Sequence, residues 1–345
     1  MIENWEQMEK FWHKSIFQYL RADPEDHYMV LTEPPMNTPE NREQMAEIMF
    51  ETFGVPGLFI GVQAVLALYA GVYASTSTDV QIKDADLTGT VVDSGDGVTH
   101  VIPIAHGYPI SSNIKHIPIA GRDITKFVMN SLRDRKEKIP NEEYQEISRI
   151  IKEQYCYCTP DIVKEHKKYD EKIKDEETGK WKQSKKFKKV KLTSPYSGKD
   201  IKCDLGYEAF MGPEIFFHPE FVNKDYRESL DEIVDMSILK SPLDCRTDLY
   251  KNIVLSGGST LFKNFDKRLE QEVRRRVKSR YEDLGIPDNA PEVKVTQNVV
   301  QNAAVWFGGS MLAHKRDNFM RVVSTKEQYD EIGPAVARHN PVFSI

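Results

Sequence analysis

The sequence predicts an α/β fold of about two domains, and three observations carry that prediction. Short β-rich runs alternate with stretches of helical period along the 345 residues. Two glycine turns, Asp93-Ser94-Gly95-Asp96-Gly97 and Ser256-Gly257-Gly258-Ser259, each follow a β-rich run. Hydrophobic residues make up 40% of the chain, enough to bury a sizeable core.

The elements follow in order. Met8, Phe11, Trp12, Ile16 and Leu20 recur at three- and four-residue spacing, so the chain opens into an amphipathic helix. Tyr28 to Thr32 reads as a short buried strand, Glu33-Pro34-Pro35 breaks it, and Asn41 to Phe53 reads as helix. Leu58 to Ala74 is the most apolar stretch; Gly61, Gln63 and Gly71 interrupt it, which favours a buried strand and helix over a membrane span. Thr88–Asp93 and Thr99–Ile104 form a hairpin with a glycine-rich tip. Asp123 is placed to cap a helix whose face is Ile124, Phe127, Val128 and Leu132, and Pro140 separates it from one bearing Ile147, Ile150 and Ile151. Residues 164–191 shift to lysine, glutamate and aspartate, the composition of an exposed insertion. Lys251 to Leu255 reads as a buried strand, and a long helix from about Lys263 carries Phe265, Leu269, Val273 and Val277 on one face.

Charge and cysteine usage exclude several function classes. With 47 basic and 53 acidic residues the net charge is −6, which advertises neither nucleic acid nor an anionic membrane as partner. Cys156, Cys158, Cys203 and Cys245 lack paired zinc spacing and the density of a secreted disulfide scaffold, which points to a reducing compartment. Met1-Ile2-Glu3-Asn4-Trp5-Glu6 has acids where an export signal needs bases. The basic runs Lys185–Lys191 and Arg274-Arg275-Arg276, with Lys278 and Arg280, read as solvated surface or as contacts to an acidic partner.

The chemistry concentrates in the two turns. Successive N–H groups of a glycine turn can converge on phosphate oxygens, because glycine reaches positive φ and has no Cβ to hold the anion away. Asp93 and Asp96 cannot neutralise phosphate, so a functional reading has them position magnesium, directly or through water. The second turn leads a strand toward a helix whose N-terminus can face an anion. A plain hairpin tip and close strand–helix packing remain open as alternatives. Gln63 and His100 are either satisfied structural polar groups or candidates to orient a water.

Taken together, Val91–His100, Ala120-Gly121-Arg122-Asp123 and Ile253–Thr260 resemble the second phosphate loop, helix start and adenosine loop of the actin superfamily. Val305-Trp306-Phe307-Gly308-Gly309-Ser310, Asn41-Arg42-Glu43 and Ile48–Phe53 are similar too, in the same order. Tyr19–Tyr28, Gly212–Phe221, Glu331-Ile332-Gly333-Pro334 and Arg338–Phe343 resemble an actin-related branch more than conventional actin.

The resemblance implies an actin-like ATPase fold with two lobes around a nucleotide cleft: residues 1–80 and 304–345 in a first, incomplete lobe, and 81–303 in a second that carries the charged insertion. It implies ATP or ADP with magnesium. Asp93, Gly95, Asp96, Gly97 and Val98 meet phosphate and metal, Asp93 through water. Lys152 and Glu153 meet ribose or adenine, and Gly257, Gly258, Ser259, Leu261 and Phe262 complete the adenosine pocket. Gln63 and His100 lie near a hydrolytic water, with slow hydrolysis at most, as a switch.

Implied partners are the other subunits of the actin-related protein 2/3 complex, actin filaments and nucleation-promoting factors, in the cytoplasm and cytoskeleton, with filament branching as the output. Two departures are visible. No Asp-x-Gly segment precedes Trp5, which predicts an N-terminally truncated chain lacking the first strands and small lobe, less stable and weak in nucleotide binding. Asn302 and Ala303 stand where a basic and an aromatic residue usually flank adenine. The rival readings are a nonfunctional or interfering truncated fragment and an actin-fold phosphotransferase or chaperone-type ATPase.

Overall fold

A computed structural model of the chain describes residues 2–75, 87–170, 173–174, 181–182 and 187–338. The expectations for Lys185 and Lys186, and for the ending beyond Arg338, lie outside those residues. The chain divides into two compact units: residues 1–91, 102–114 and 298–345 form one, and 92–101 with 115–297 form the other.

In the first unit, α1 (Trp5–His13) starts where the Asn4 side chain accepts the Gln7 N–H at 2.9 Å. A π-helical stretch, Lys14–Leu20, then ends at Arg21 in the left-handed region. Trp12 and Ile16 are buried, but Phe11 and Leu20 are exposed. The expected single apolar face is therefore shorter than the spacing implied: Phe11 lies off it within α1, and Leu20 lies off it in the wider π turns.

Strand β1 (Met29–Glu33) runs parallel to β2 (Gly57–Val62), which also pairs antiparallel with Ser324–Thr325. Between them, α2 (Pro39–Glu47) opens on Thr38, whose hydroxyl accepts the Asn41 N–H at 3.3 Å, with Pro39 at the first helical position. Trp12, Ile16, Met45, Met49, Phe50, Leu58, Ile60 and Tyr329 belong to one buried cluster. Phe50 stacks on Tyr329 at 4.6 Å, and the Tyr329 hydroxyl donates to Glu51 at 2.6 Å.

Sequence reading missed one buried ion pair here. Glu33, at the end of β1, is 1% exposed and accepts from Arg42 Nε at 2.8 Å and from Asn37 at 2.9 Å. That joins β1 to α2 and satisfies a carboxylate that burial would otherwise penalise. Helix α3 (Gln63–Ser75) continues directly from β2, as the apolar stretch implied, and packs on the helix Ala304–His314. A Cβ at Gly308 would overlap the Leu66 carbonyl. Gly308 is what lets the two helices approach.

The largest sheet is mixed, and those of its residues within 92–101 and 115–297 belong to the second unit. Its strands are β3 (Gly89–Ser94), β4 (Thr99–Ala105), β5 (Lys115–Ile117), β6 (Ile253–Ser256) and β7 (Val295–Thr296), in the order β7-β6-β3-β4 with β5 on the other edge of β4. The β3–β4 hairpin is continuous in sequence with both units, and its tip, 92–101, belongs to the second. The helices of this unit include α4 (Gly121–Asp134), α5 (Tyr144–Tyr155), α6 (Ile162–Asp170), α7 (Glu208–Glu214), α8 (Leu230–Lys240) and α9 (Phe265–Asp283). Of the core faces read from sequence, Ile124, Val128, Leu132, Ile147, Ile151, Phe265, Leu269, Val273 and Val277 are buried, while Phe127 and Ile150 are only partly buried.

Asp123 does not cap α4 as expected. It sits at the third helical position, where its carboxylate accepts the Ala120 N–H at 3.1 Å, and Ala120 is the cap residue. The reach-back half of a capping box is enough because Gly121 and Arg122 find other acceptors.

A Gly308→Ala variant is expected to lose about 3 kcal/mol of stability, since the added methyl meets backbone that cannot rotate away. Urea unfolding measures this. A midpoint equal to that of the wild type contradicts the packing described.

Candidate nucleotide site

The two glycine turns meet within the second unit. Residues Gly95 to Val98, the tip between β3 and β4, are exposed, while Ser94 and Thr99 on either side are buried. The Thr99 hydroxyl donates to the Ile119 carbonyl at 2.7 Å and stands 2.7 Å from the Ser94 hydroxyl. Thr99 has spent its only proton on Ile119, so Ser94 donates to Thr99. This chain of bonds closes the base of the tip.

The tip is bonded onto the start of α4. Gly121 N–H donates to the Gly95 carbonyl at 3.0 Å and Arg122 N–H to the Asp96 carbonyl at 2.9 Å. The Arg122 guanidinium adds bonds to Asp96 Oδ2 at 3.2 and 3.0 Å, and this pair is exposed. Two of the N–H groups that every helix start leaves without an intrahelical partner are thus spent on the turn.

The second turn leans on the first. Gly257 has φ +89°, and a Cβ there would overlap the Ser94 carbonyl. Ser259 donates its hydroxyl to the Gly95 carbonyl at 2.6 Å. Thr260 Oγ1 donates to the Gly257 carbonyl at 2.7 Å and tightens the 3-10 turn Gly258–Thr260. The long helix expected at about Lys263 begins two residues later, at Phe265, after Asn264 in the left-handed region. One short 3-10 turn, rather than the N-terminus of α9, therefore follows the paired glycines.

The glycines have different reasons to be glycine. Gly257 needs both its positive φ and its bare Cα. Gly95 and Gly97 were expected to use positive φ, and they do not; a Cβ on either, or on Gly258, would meet nothing within 4 Å. At those three positions the protein itself sets no requirement, and the absent side chain leaves open space beside backbone.

Lys152 and Glu153 end α5 differently. Lys152 is 9% exposed, its Nζ donates to the Gly121 carbonyl at 3.1 Å, and burial pushes its pKa down, against the pull of Glu153 and Asp96. Glu153 is exposed and its carboxylate accepts from Arg149 at 2.9 Å. Leu261 is exposed and Phe262 buried. Asp93 is partly buried on β3, and Val98 is exposed. Gln63 is the first residue of α3 in the first unit and is partly rather than fully buried. Among the described residues no three His, Cys, Asp or Glu side chains converge as a metal cage.

His100 lies on β4 opposite His116 on β5, with ring centroids 6.2 Å apart. Its Nδ1 is buried and has no hydrogen-bond partner. Burial pushes its pKa below the ordinary histidine value, with Asp93 opposing and His116 adding to the shift.

Each basic residue of the run on α9 has an acidic neighbour within the chain, and Arg274, Arg275 and Lys278 stay exposed. Arg274 pairs with Glu270, Arg275 with Glu272 and Arg276 with Asp231, while Arg280 pairs with Asp235 and Lys278 with Glu282. Sequence reading also missed Arg268. It is 6% exposed, bonds Glu214 at 2.9 Å and Glu272 at 2.9 Å, and so ties α9 to α7. The thiols of Cys156 and Cys158 are buried, and burial pushes both pKa values up, away from the thiolate that a metal would need. Along the charged insertion, residues 162–170 form α6.

In this sheet a glycine tip is bonded to a helix start and a second glycine turn lies against it, and the chain belongs to the actin family. The family model described as Actin matches residues 1–340. Among the relatives, Actin-related protein 3 of Acanthamoeba castellanii is 54% identical over 99% of this chain and 78% of its own length. Actin-related protein 3 of Drosophila melanogaster is 53% identical over 99% of this chain and 80% of its own. No helix among the described residues is long and apolar enough to cross a membrane.

The state of His100 gives a pH test. Its folded pKa lies below its unfolded value, so the unfolded chain takes up the proton first as pH falls. The stability tied to the neutral ring is present above the ordinary histidine range, near 6.5, and is lost as pH drops toward the folded pKa. Urea unfolding between pH 7 and 5 is expected to show falling stability, with a shallower fall in His100→Gln. Equal slopes contradict the buried neutral ring.

Proposed function

We propose that the chain binds ATP or ADP with magnesium on the two glycine turns and serves as an actin-related subunit of a branch-nucleating assembly. The observation that carries this reading is identity above one half, across nearly the whole chain, with two proteins named Actin-related protein 3. In this reading the partners are the other subunits of the actin-related protein 2/3 complex, actin filaments and nucleation-promoting factors, and the chain works in the cytoplasmic cytoskeleton.

The residues present fit the nucleotide. Gly95, Gly97 and Gly258 have room on the side where a Cβ would stand, which suits a ligand resting on backbone N–H groups. Gly95, Asp96, Gly97 and Val98 then flank the phosphates, with Asp93 reaching magnesium through water. One carboxylate suits an ion that keeps water and phosphate oxygens as its other ligands. Bound magnesium supplies charge neutralisation for the phosphates. Lys152 and Glu153 face the ribose or adenine, and Gly257, Gly258, Ser259, Leu261 and Phe262 line the adenosine. Gln63 and His100 orient water, and hydrolysis is slow, a switch between conformations rather than a metabolic output.

Magnesium ATP is expected to raise the thermal midpoint of the purified chain. Gly97→Ala is expected to keep the ligand-free midpoint and weaken magnesium ATP binding at least about tenfold, because its methyl fills the open side of the turn. A wild-type chain whose midpoint ignores ATP overturns the nucleotide assignment. For the assembly role, tagged chain is expected to recover the other complex subunits from cells, and recovery of the chain alone counts against it.

A further inference from the structure

Three groups from separate segments converge where Gly121 lacks a side chain. A Cβ on Gly121 would lie 2.7 Å from Ser259 Oγ, 3.1 Å from the Gly95 carbonyl and 3.3 Å from Lys152 Nζ. The bonds at this point are Ser259 Oγ to Gly95 O at 2.6 Å, Gly121 N to Gly95 O at 3.0 Å, and Lys152 Nζ to Gly121 O at 3.1 Å. Gly95 O therefore accepts from both the helix start and the second glycine turn, which uses both lone pairs of the carbonyl.

Ser259 is the only side chain of its turn bonded to the phosphate turn among the described residues. Its hydroxyl is committed to protein backbone, 164 residues away in sequence, and its single proton cannot also serve a ligand. We propose that Ser259 is a positioning residue: its bond to Gly95 joins the turn that flanks the phosphates to the turn that lines the adenosine, so that binding one end of the nucleotide orders the protein at the other.

The inference rests on the nucleotide reading above and deepens it. Gly121 and Lys152 complete the joint. Gly121 leaves the volume in which the hydroxyl sits, and Lys152, buried with its Nζ on the Gly121 carbonyl, holds the start of α4 against the same point. Without the Ser259 hydroxyl, Gly95 keeps only the bond from Gly121. The second turn remains tied by Thr260 and by the packing of Gly257 on Ser94. Loss of the clasp therefore bears on the phosphate end more than on the adenosine end.

The test compares equilibrium affinities for magnesium ATP and for adenosine in wild type, Ser259→Ala and Ser259→Thr, each first shown to unfold cooperatively. The ratio of ATP to adenosine affinity is expected to fall about tenfold in Ser259→Ala, the scale of one hydrogen bond, and to recover in Ser259→Thr, which restores a hydroxyl. A variant that was merely destabilised would weaken both ligands alike and leave the ratio in place. If wild type binds both ligands and Ser259→Ala shows its ratio, the clasp is overturned while the nucleotide site stands. If wild type binds neither, the nucleotide reading fails and this inference with it.

Discussion

The second unit depends on one close approach, the backbone of Gly257 against the carbonyl of Ser94. A strand from the second half of the chain, β6, lies beside β3, and the two can end in facing turns only if one of them presents bare Cα. Gly257 does so, at a φ of +89° that few other residues adopt without strain. With that contact in place, Ser259 reaches Gly95, Gly95 reaches the first turn of α4, and Lys152 on α5 reaches Gly121. Four separate segments are fixed by backbone carbonyls that each accept more than one bond.

Each unit also has a buried ion pair that ties its elements together. Arg268 links α9 to α7 through Glu214, and Arg42 holds the end of β1 through Glu33. Such pairs add modest net stability, because removing two ions from water offsets most of their attraction. Breaking either pair would take one partner from a buried charge, which costs more than the intact pair contributes. In the second unit Arg268 thereby ties α9 to α7.

Much of this was legible in the sequence. The hairpin at 88–104 was marked by two β-rich runs around a glycine tip, and the face of α9 by apolar residues four apart, so both were readable from local pattern. The π-helical stretch after His13 was not, since its apolar residues carry the same spacing as an α-helix and only the hydrogen bonds differ. Nor were the pairs Glu33–Arg42 and Glu214–Arg268, which join residues 9 and 54 positions apart on different elements. At the site, residue types identified both turns, but not which glycines were needed by the fold. Gly257 is needed by its neighbour Ser94, whereas Gly95, Gly97 and Gly258 face open space. Ser259 gave no sign of its bond to Gly95, because a serine after paired glycines fits a ligand contact equally well.

That division among the glycines is the centre of the account, and paired alanine substitutions in one turn test it most directly. Stability by urea unfolding and magnesium ATP affinity would be measured for Gly257→Ala and Gly258→Ala. Gly257→Ala is expected to lose about 3 kcal/mol, from strain at positive φ and overlap with Ser94. Gly258→Ala is expected to stay within about 0.5 kcal/mol of wild type and to lose ATP affinity instead. Equal losses of stability at the two positions, or a Gly258→Ala chain that binds ATP as wild type does, would contradict it.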